Sequence, residues 1–371
     1  MTANLRHAAG SLLVVGLAGT ELSGLECAWL KLVRPGGIIL FRRNVLDPKQ
    51  ARALLGEATA LCSPHGLRCV DVEGGTVDRL REALAPMPSA QAVANAARHS
   101  GKTALCHKHG ELVAQAVKAF GFNTTLAPVL DLALPASNSV MGTRSAAATA
   151  AGVVEYGRAF LAGLAAQGVV GCGKHFPGLG GGTLDSHLDT PSIHRTMDEL
   201  NREDLVPYPA LKNDLPMIMV NHAAYPKTPS GNRPASASDY WITTVLRNRI
   251  GFKGIIFSDD LEMGGILKFL PIEEAAIAAI RAGMDLLEIC HSPELILRAY
   301  ESLLAEAERS IAFRKVLLAR ASKTAFKRKR LFSGYISRAL SPSQLESLRS
   351  RIMRFSEAVS KAQTSQEEHP S

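Results

Sequence analysis

Eight short apolar runs alternating with helix-length segments predict one closed (β/α)8 barrel of the TIM type, with a doubly wound open sheet as the alternative. Three observations predict it. The runs at 12–17, 37–41, 67–72, 123–128, 169–175, 217–222, 254–258 and 286–290 are almost continuously apolar, as strands covered on both faces must be. The segments between them carry helical patterns, among them 51–61, 104–120, 149–167, 239–249 and 272–282. Polar residues gather just beyond the strand ends, where a barrel of this kind carries its active site.

Taken in order, the run at 12–17 is rich in Leu and Val and suits a buried strand better than the core of a signal peptide. Only Arg6 precedes it and no small-x-small cleavage site follows. The second run leads into Arg42, Arg43 and Asn44, the third into Asp71 and Glu73, and the fourth into Asp131. The fifth ends in Lys174 and His175, the sixth in Asn221 and His222, and the seventh in Asp259 and Asp260. Carboxylates, imidazoles and cations therefore converge on one rim.

The barrel is expected over residues 8–312. A basic helical extension is expected over 313–360, with amphipathic stretches at 332–340 and 342–359, and residues 361–371 read as a disordered tail. Length and composition fit this plan: 371 residues, 46% hydrophobic and 20% charged, are ordinary for a globular chain. The net charge of +8 belongs almost wholly to the residues after 300, where 14 Lys or Arg stand against 7 Asp or Glu, so it says little about a substrate. The run Lys327-Arg328-Lys329-Arg330 suggests a solvated helix face or a weak contact with an anionic surface rather than a nucleic-acid site. Six scattered cysteines without finger-like spacing read as reduced thiols in a cytoplasmic protein. No run reaches the length of a membrane span.

Three segments carry chemistry. Lys174-His175-Phe176-Pro177-Gly178 opens a glycine-rich loop that ends in Asp185-Ser186-His187. Asp185 can hold the His187 imidazole in one tautomer and raise its basicity, and glycines let the loop move. A plain surface loop is an equal reading. In Ser258-Asp259-Asp260, a buried strand ends in two carboxylates, which costs free energy unless they are used or paired. Asp260 can cap the next helix, and Asp259 is the better candidate to face the cavity. In the third segment, Asp71 can accept sugar hydroxyls. Arg79 there, and Arg144 in Met141-Gly142-Thr143-Arg144-Ser145, suit either a substrate clamp or a structural ion pair.

Together these segments resemble glycoside hydrolase family 3, in its β-N-acetylglucosaminidase (NagZ-like) branch. The resemblance covers roughly residues 10–300 and rests on GGIILFRRN, DVEGG, NTTLAPVLDL, MGTRS, KHFPG with DSH, and GFKGIIFSDDLEM. It implies Asp259 as nucleophile, Asp185 and His187 as acid/base dyad, and Asp71, Arg79, Arg144, Lys174 and His175 as ligands of a terminal N-acetylglucosamine. It implies retaining hydrolysis, in peptidoglycan recycling, without metal or organic cofactor. Leu179 stands where the family loop usually has His. Phosphorolysis, with phosphate replacing water, and a catalytically silent barrel that binds cell-wall fragments are the competing readings.

Overall fold

The computed structural model describes residues 2–182 and 191–364. Eight parallel strands close into one barrel: β1 (Leu13–Gly16), β2 (Gly37–Leu40), β3 (Leu67–Val70), β4 (Thr124–Thr125), β5 (Val170–Phe176), β6 (Met217–Val220), β7 (Ile255–Asp260) and β8 (Leu286–Ile289). Each pairs with its neighbours in sequence. Closure comes from β1, where Val14 is in register with Gly37 of β2 on one side and Glu288 of β8 on the other.

Side chains alternate along each strand. Val14, Ile39, Cys69, Cys172, Met219, Phe257 and Leu286 turn inward and fill the barrel, while Val15, Ile38, Val70, Ile218, Ile256 and Leu287 turn outward under the helices. All eight runs are strands, so the barrel holds and the open sheet does not. The fourth is the shortest, because Pro128 has no N–H to donate and regular pairing stops. The backbone still stays extended enough for Ala127 and Pro128 to accept from Cys172 and Lys174 of β5.

Helix starts follow local chemistry. The Asp47 side chain accepts from the Gln50 N–H and Pro48 occupies the first turn, while Thr149 caps helix Ala150–Ala166. The segment Tyr240–Arg249 is helical but wound as a π-helix, and it seats Trp241 against Phe176 and Tyr225.

The helix Ile311–Phe332 crosses the N-terminal face of the barrel. Lys327 Nζ reaches Asp285 Oδ2 at 2.9 Å, and Arg328 Nη1 donates to Gly36 O at 2.7 Å, both at the entrances of strands. Phe332 packs with the barrel interior from below. Two of the four residues of the basic run are thus spent on the barrel, and Lys329 and Arg330 remain exposed. Residues 333–340, expected within an amphipathic stretch, are not helical. Ser337 there accepts from Arg52 at 2.7 Å. Helix Pro342–Thr364 packs on helices Ala90–Ser100 and Ala104–Ala119, running past residue 360, and residues 365–371 lie outside the described part. Among the described residues all six cysteines are free, and no helix is long and apolar enough to cross a membrane.

Phe332→Ala should therefore open a void at the base and lower the unfolding free energy by about 3–5 kcal/mol. Denaturant unfolding checks this, and a loss below about 1 kcal/mol would mean that the helix is not part of the barrel's core.

Candidate active site

The C-terminal face of the barrel holds a cavity of about 410 Å³. Asp71, Arg79, Arg144, Lys174, His175 and Asp259 all line it. The six therefore come together from four different parts of the chain. Asp185 and His187 lie outside the described residues.

Two local devices place the sugar-binding candidates. Beyond β3, Asp71 and Glu73 are followed by Gly74 and Gly75, whose φ values of 90° and 62° turn the chain sharply into a small hairpin. A Cβ on Gly74 would lie 2.1 Å from the Pro88 carbonyl oxygen, so only glycine fits. The hairpin's return strand delivers Arg79. On β5, the register against β6 shifts between Gly173 and Phe176. Such an irregularity re-aims side chains, and here both Lys174 and His175 reach the cavity.

These groups form one buried ionic network. Lys174 Nζ sits 2.8 Å from Asp71 Oδ1 and 2.7 Å from Glu73 Oε1. Arg144 grips Glu73 through two parallel bonds, Nε to Oε2 at 2.8 Å and Nη2 to Oε1 at 2.9 Å. Arg79 Nη2 stands 3.6 Å from Asp71 Oδ2. Both arginines thus combine the two roles open to them, an ion pair and a cavity wall. Burial alone would raise Glu73, but Arg144 and Lys174 outweigh it and hold the carboxyl far below the usual range. Burial alone would lower Lys174, and Asp71 and Glu73 reverse that, so the ammonium stays charged.

His175 is fixed from both sides. Its Nδ1 lies 2.6 Å from Asp131 Oδ2, and its Nε2 lies 3.4 Å from Arg144 Nη2. A carboxylate can only accept, so Nδ1 carries a proton. The other oxygen of Asp131 accepts from the Leu179 N–H at 2.7 Å, which ties the start of the glycine-rich loop to the site. Leu179 itself lines the cavity.

The adjacent carboxyls Asp259 and Asp260 behave oppositely. Burial works against ionisation of Asp259, but His175, His222 and Lys174, with a 3.0 Å bond from the Asp260 N–H, hold it below the ordinary carboxylate value. Asp260 is pushed up to about 7, first by burial, with Glu262 and Asp259 adding repulsion. Its Oδ1 accepts from the Glu262 N–H at 3.0 Å. Neighbouring carboxyls driven apart in this way divide into an ionised and a protonated member.

Sequence reasoning placed Glu73, Asp131 and Asp260 on the rim without giving them a role in binding. It missed Glu288, a buried carboxyl on β8 that lines the cavity. Its one signal is a charge between Leu286 and Cys290 in an otherwise apolar strand.

Comparison with known proteins places this geometry. The model of the glycosyl hydrolase family 3 N-terminal domain matches residues 5–317. A β-hexosaminidase of Methylococcus capsulatus is 40% identical over 288 residues, covering 77% of this chain and 85% of that protein. One from Xanthomonas campestris pv. campestris is 37% identical over 304 residues, covering 81% and 89%. Among solved structures, NagZ from Neisseria gonorrhoeae in complex with N-trifluoroacetyl-D-glucosamine superposes with a TM-score of 0.76 at 29% identity, covering 93% of this chain and 98% of that one. A family 3 β-N-acetylglucosaminidase from a Paenibacillus species gives 0.84 at 30% identity, covering 95% and 68%.

The raised Asp260 has a consequence for stability. The folded protein holds this proton more tightly than the unfolded chain, so the contribution is full below the ordinary value of 3.8. It is lost as pH rises to about 7. Asp260→Asn should remove that loss, and its stability relative to wild type should increase steadily between pH 4 and 7 in chemical unfolding. A mutant whose difference from wild type is constant over this window would contradict the assignment.

Proposed function

Since the chain belongs to glycosyl hydrolase family 3 and is a glycoside hydrolase, we propose that it is a retaining exo-β-N-acetylglucosaminidase. The observation that carries this reading is the opposition of an ionised Asp259 to the Asp71–Lys174–His175 wall in one sugar-sized cavity. Its relatives' names, and the N-acetylglucosamine analogue bound by the gonococcal structure, support the choice of sugar.

In the proposed mechanism, Asp71, Lys174 and His175 hold the hydroxyls of the terminal sugar, and Arg79 and Arg144 fix their partners. Asp259 attacks the anomeric carbon, and the bond to the leaving oxygen breaks as a glycosyl ester forms. His187, oriented by Asp185, protonates that oxygen. It then takes a proton from the water that cleaves the ester, and Asp259 is regenerated. A carboxylate already ionised needs no proton removed before attack, and Asp260 beside it, raised to about 7, carries less competing charge than an ordinary carboxyl would.

The leaving side is proposed to be a peptidoglycan fragment, and the setting cytoplasmic. The resemblance to the NagZ-like branch supports both, and six free cysteines agree with a reducing compartment. A neutral imidazole would not repel an incoming anion, so phosphate is the acceptor that competes with water.

Two experiments test the reading. Nitrophenyl N-acetyl-β-glucosaminide should be cleaved with far higher kcat/KM than the glucoside, giving free sugar whether or not phosphate is present. Sugar 1-phosphate as product would make the enzyme a phosphorylase. Asp259→Ala should abolish turnover with an unchanged melting temperature, and a 2-fluoro sugar inactivator should label Asp259 in a peptide map. Labelling of Asp260 or Asp71 would reassign the nucleophile.

The dyad gives a second pattern. His187→Ala should slow release of a sugar alkoxide by roughly 10²–10⁴-fold and of an activated phenol far less, since the phenol leaves without a proton. Asp185→Ala should do the same more mildly. Loss that is uniform across phenols of graded acidity and a disaccharide would show that the proton comes from elsewhere.

A further inference from the structure

Glu288 has no partner that explains it. It is 2% exposed, on the inward face of β8 between Leu286 and Cys290. Its Oε1 is buried without a hydrogen-bond partner among the described residues, and the side chain lines the catalytic cavity. The acids around it, Asp260, Asp71 and Asp259, oppose its ionisation after burial has already done so, and Lys174 compensates only in part. The group is therefore a neutral carboxylic acid, with an O–H to donate and a carbonyl oxygen to accept. A buried polar atom left unpaired is costly. A strand position flanked by Leu and Cys would be served as well by leucine, unless something entering the cavity completes the pair.

The barrel's strand order says what enters there. Asp259 ends β7, with β6 on one side and β8 on the other. On the β6 side the cavity wall is Met219, with Leu126 beyond it, both apolar. On the β8 side it is Glu288. A pyranose with its anomeric carbon over Asp259, and its far hydroxyls on Asp71 and Lys174, turns its two remaining substituents to these two flanks. The 2-acetamido group carries a methyl and matches the apolar flank. The C5 hydroxymethyl ends in a hydroxyl and matches the polar one.

We propose that Glu288 is a specificity residue that hydrogen-bonds the 6-hydroxyl of the terminal sugar. The inference rests on the glycosidase reading above and extends it: the site selects hexosamines with a free primary hydroxyl over 6-deoxy or 6-substituted ones.

The test is binding, measured by calorimetry on the full chain with N-acetylglucosamine and its 3-deoxy and 6-deoxy analogues. Wild type should bind the 6-deoxy sugar about tenfold more weakly than the parent, the loss of one buried hydrogen bond. In Glu288→Leu that difference should shrink to twofold or less, while the penalty for the 3-deoxy sugar stays as in wild type. Glu288→Gln, which keeps a donor and an acceptor, should restore most of the 6-deoxy penalty and serves also if the leucine variant folds poorly. The melting temperature of Glu288→Leu should not fall, because the change removes an unpaired buried group. An undiminished 6-deoxy penalty in Glu288→Leu, or a changed 3-deoxy penalty, would overturn the assignment. Wild type that does not bind N-acetylglucosamine would instead overturn the function on which it rests.

Discussion

Lys174 stands almost without solvent between Asp71 and Glu73, and much of the site depends on that placement. One ammonium ties β5 to the chain that leaves β3, across the strand between them. Removing three charges from water is expensive, and their attraction compensates only when every donor and acceptor is used. The network comes near that condition: Arg144 takes both oxygens of Glu73, and Arg79 approaches the oxygen of Asp71 that Lys174 leaves, although its buried Nε has no partner among the described residues. In the proposed mechanism a sugar then meets groups that are already oriented, and it need not order them itself.

The same network has an electrostatic reach. Lys174 is among the charges that keep Asp259 ionised, and it also partly relieves Glu288. Five carboxyls around one cavity would repel each other if all were charged and unpaired. The protein resolves this by pairing Asp71 and Glu73 with cations, keeping Asp259 ionised and raising Asp260 to about 7 and Glu288 well above the ordinary carboxylate value. The acids then differ in what they can do: Asp71 and Glu73 accept from cations, Asp259 is the proposed nucleophile, and Glu288 can donate.

The barrel was legible in the sequence because strands buried on both faces must be mostly apolar, and all eight runs nearly were. Helix 272–282 was legible to the residue, since Glu273 and Glu274 open it and Gly283, at φ 116°, ends it. Asp259 and Lys174 were legible because charges at the end of an apolar strand have few other uses. What escaped were residues whose meaning depends on contact. Asp131 acts through His175 and Leu179, far along the chain, and Lys327 and Arg328 look like surface cations until the base of the barrel is in place. Glu288 escaped because one charge in a short strand has no period of its own. The stretch 332–340 has amphipathic spacing, but Gly334 and the approach to Pro342 prevent a helix.

Closure of the barrel through β1 and β8 joins residues that are made far apart in time. In a nascent chain, one edge of β1 has no partner until residue 289 has left the ribosome, and the base stays open until Phe332 follows. For most of synthesis an apolar strand edge and the barrel's inner face are exposed, which is the state most prone to wrong pairing between chains. The architecture that gives the enzyme its rigid site therefore makes its birth dependent on shielding, and the rate of translation becomes a determinant of how much active protein a cell obtains.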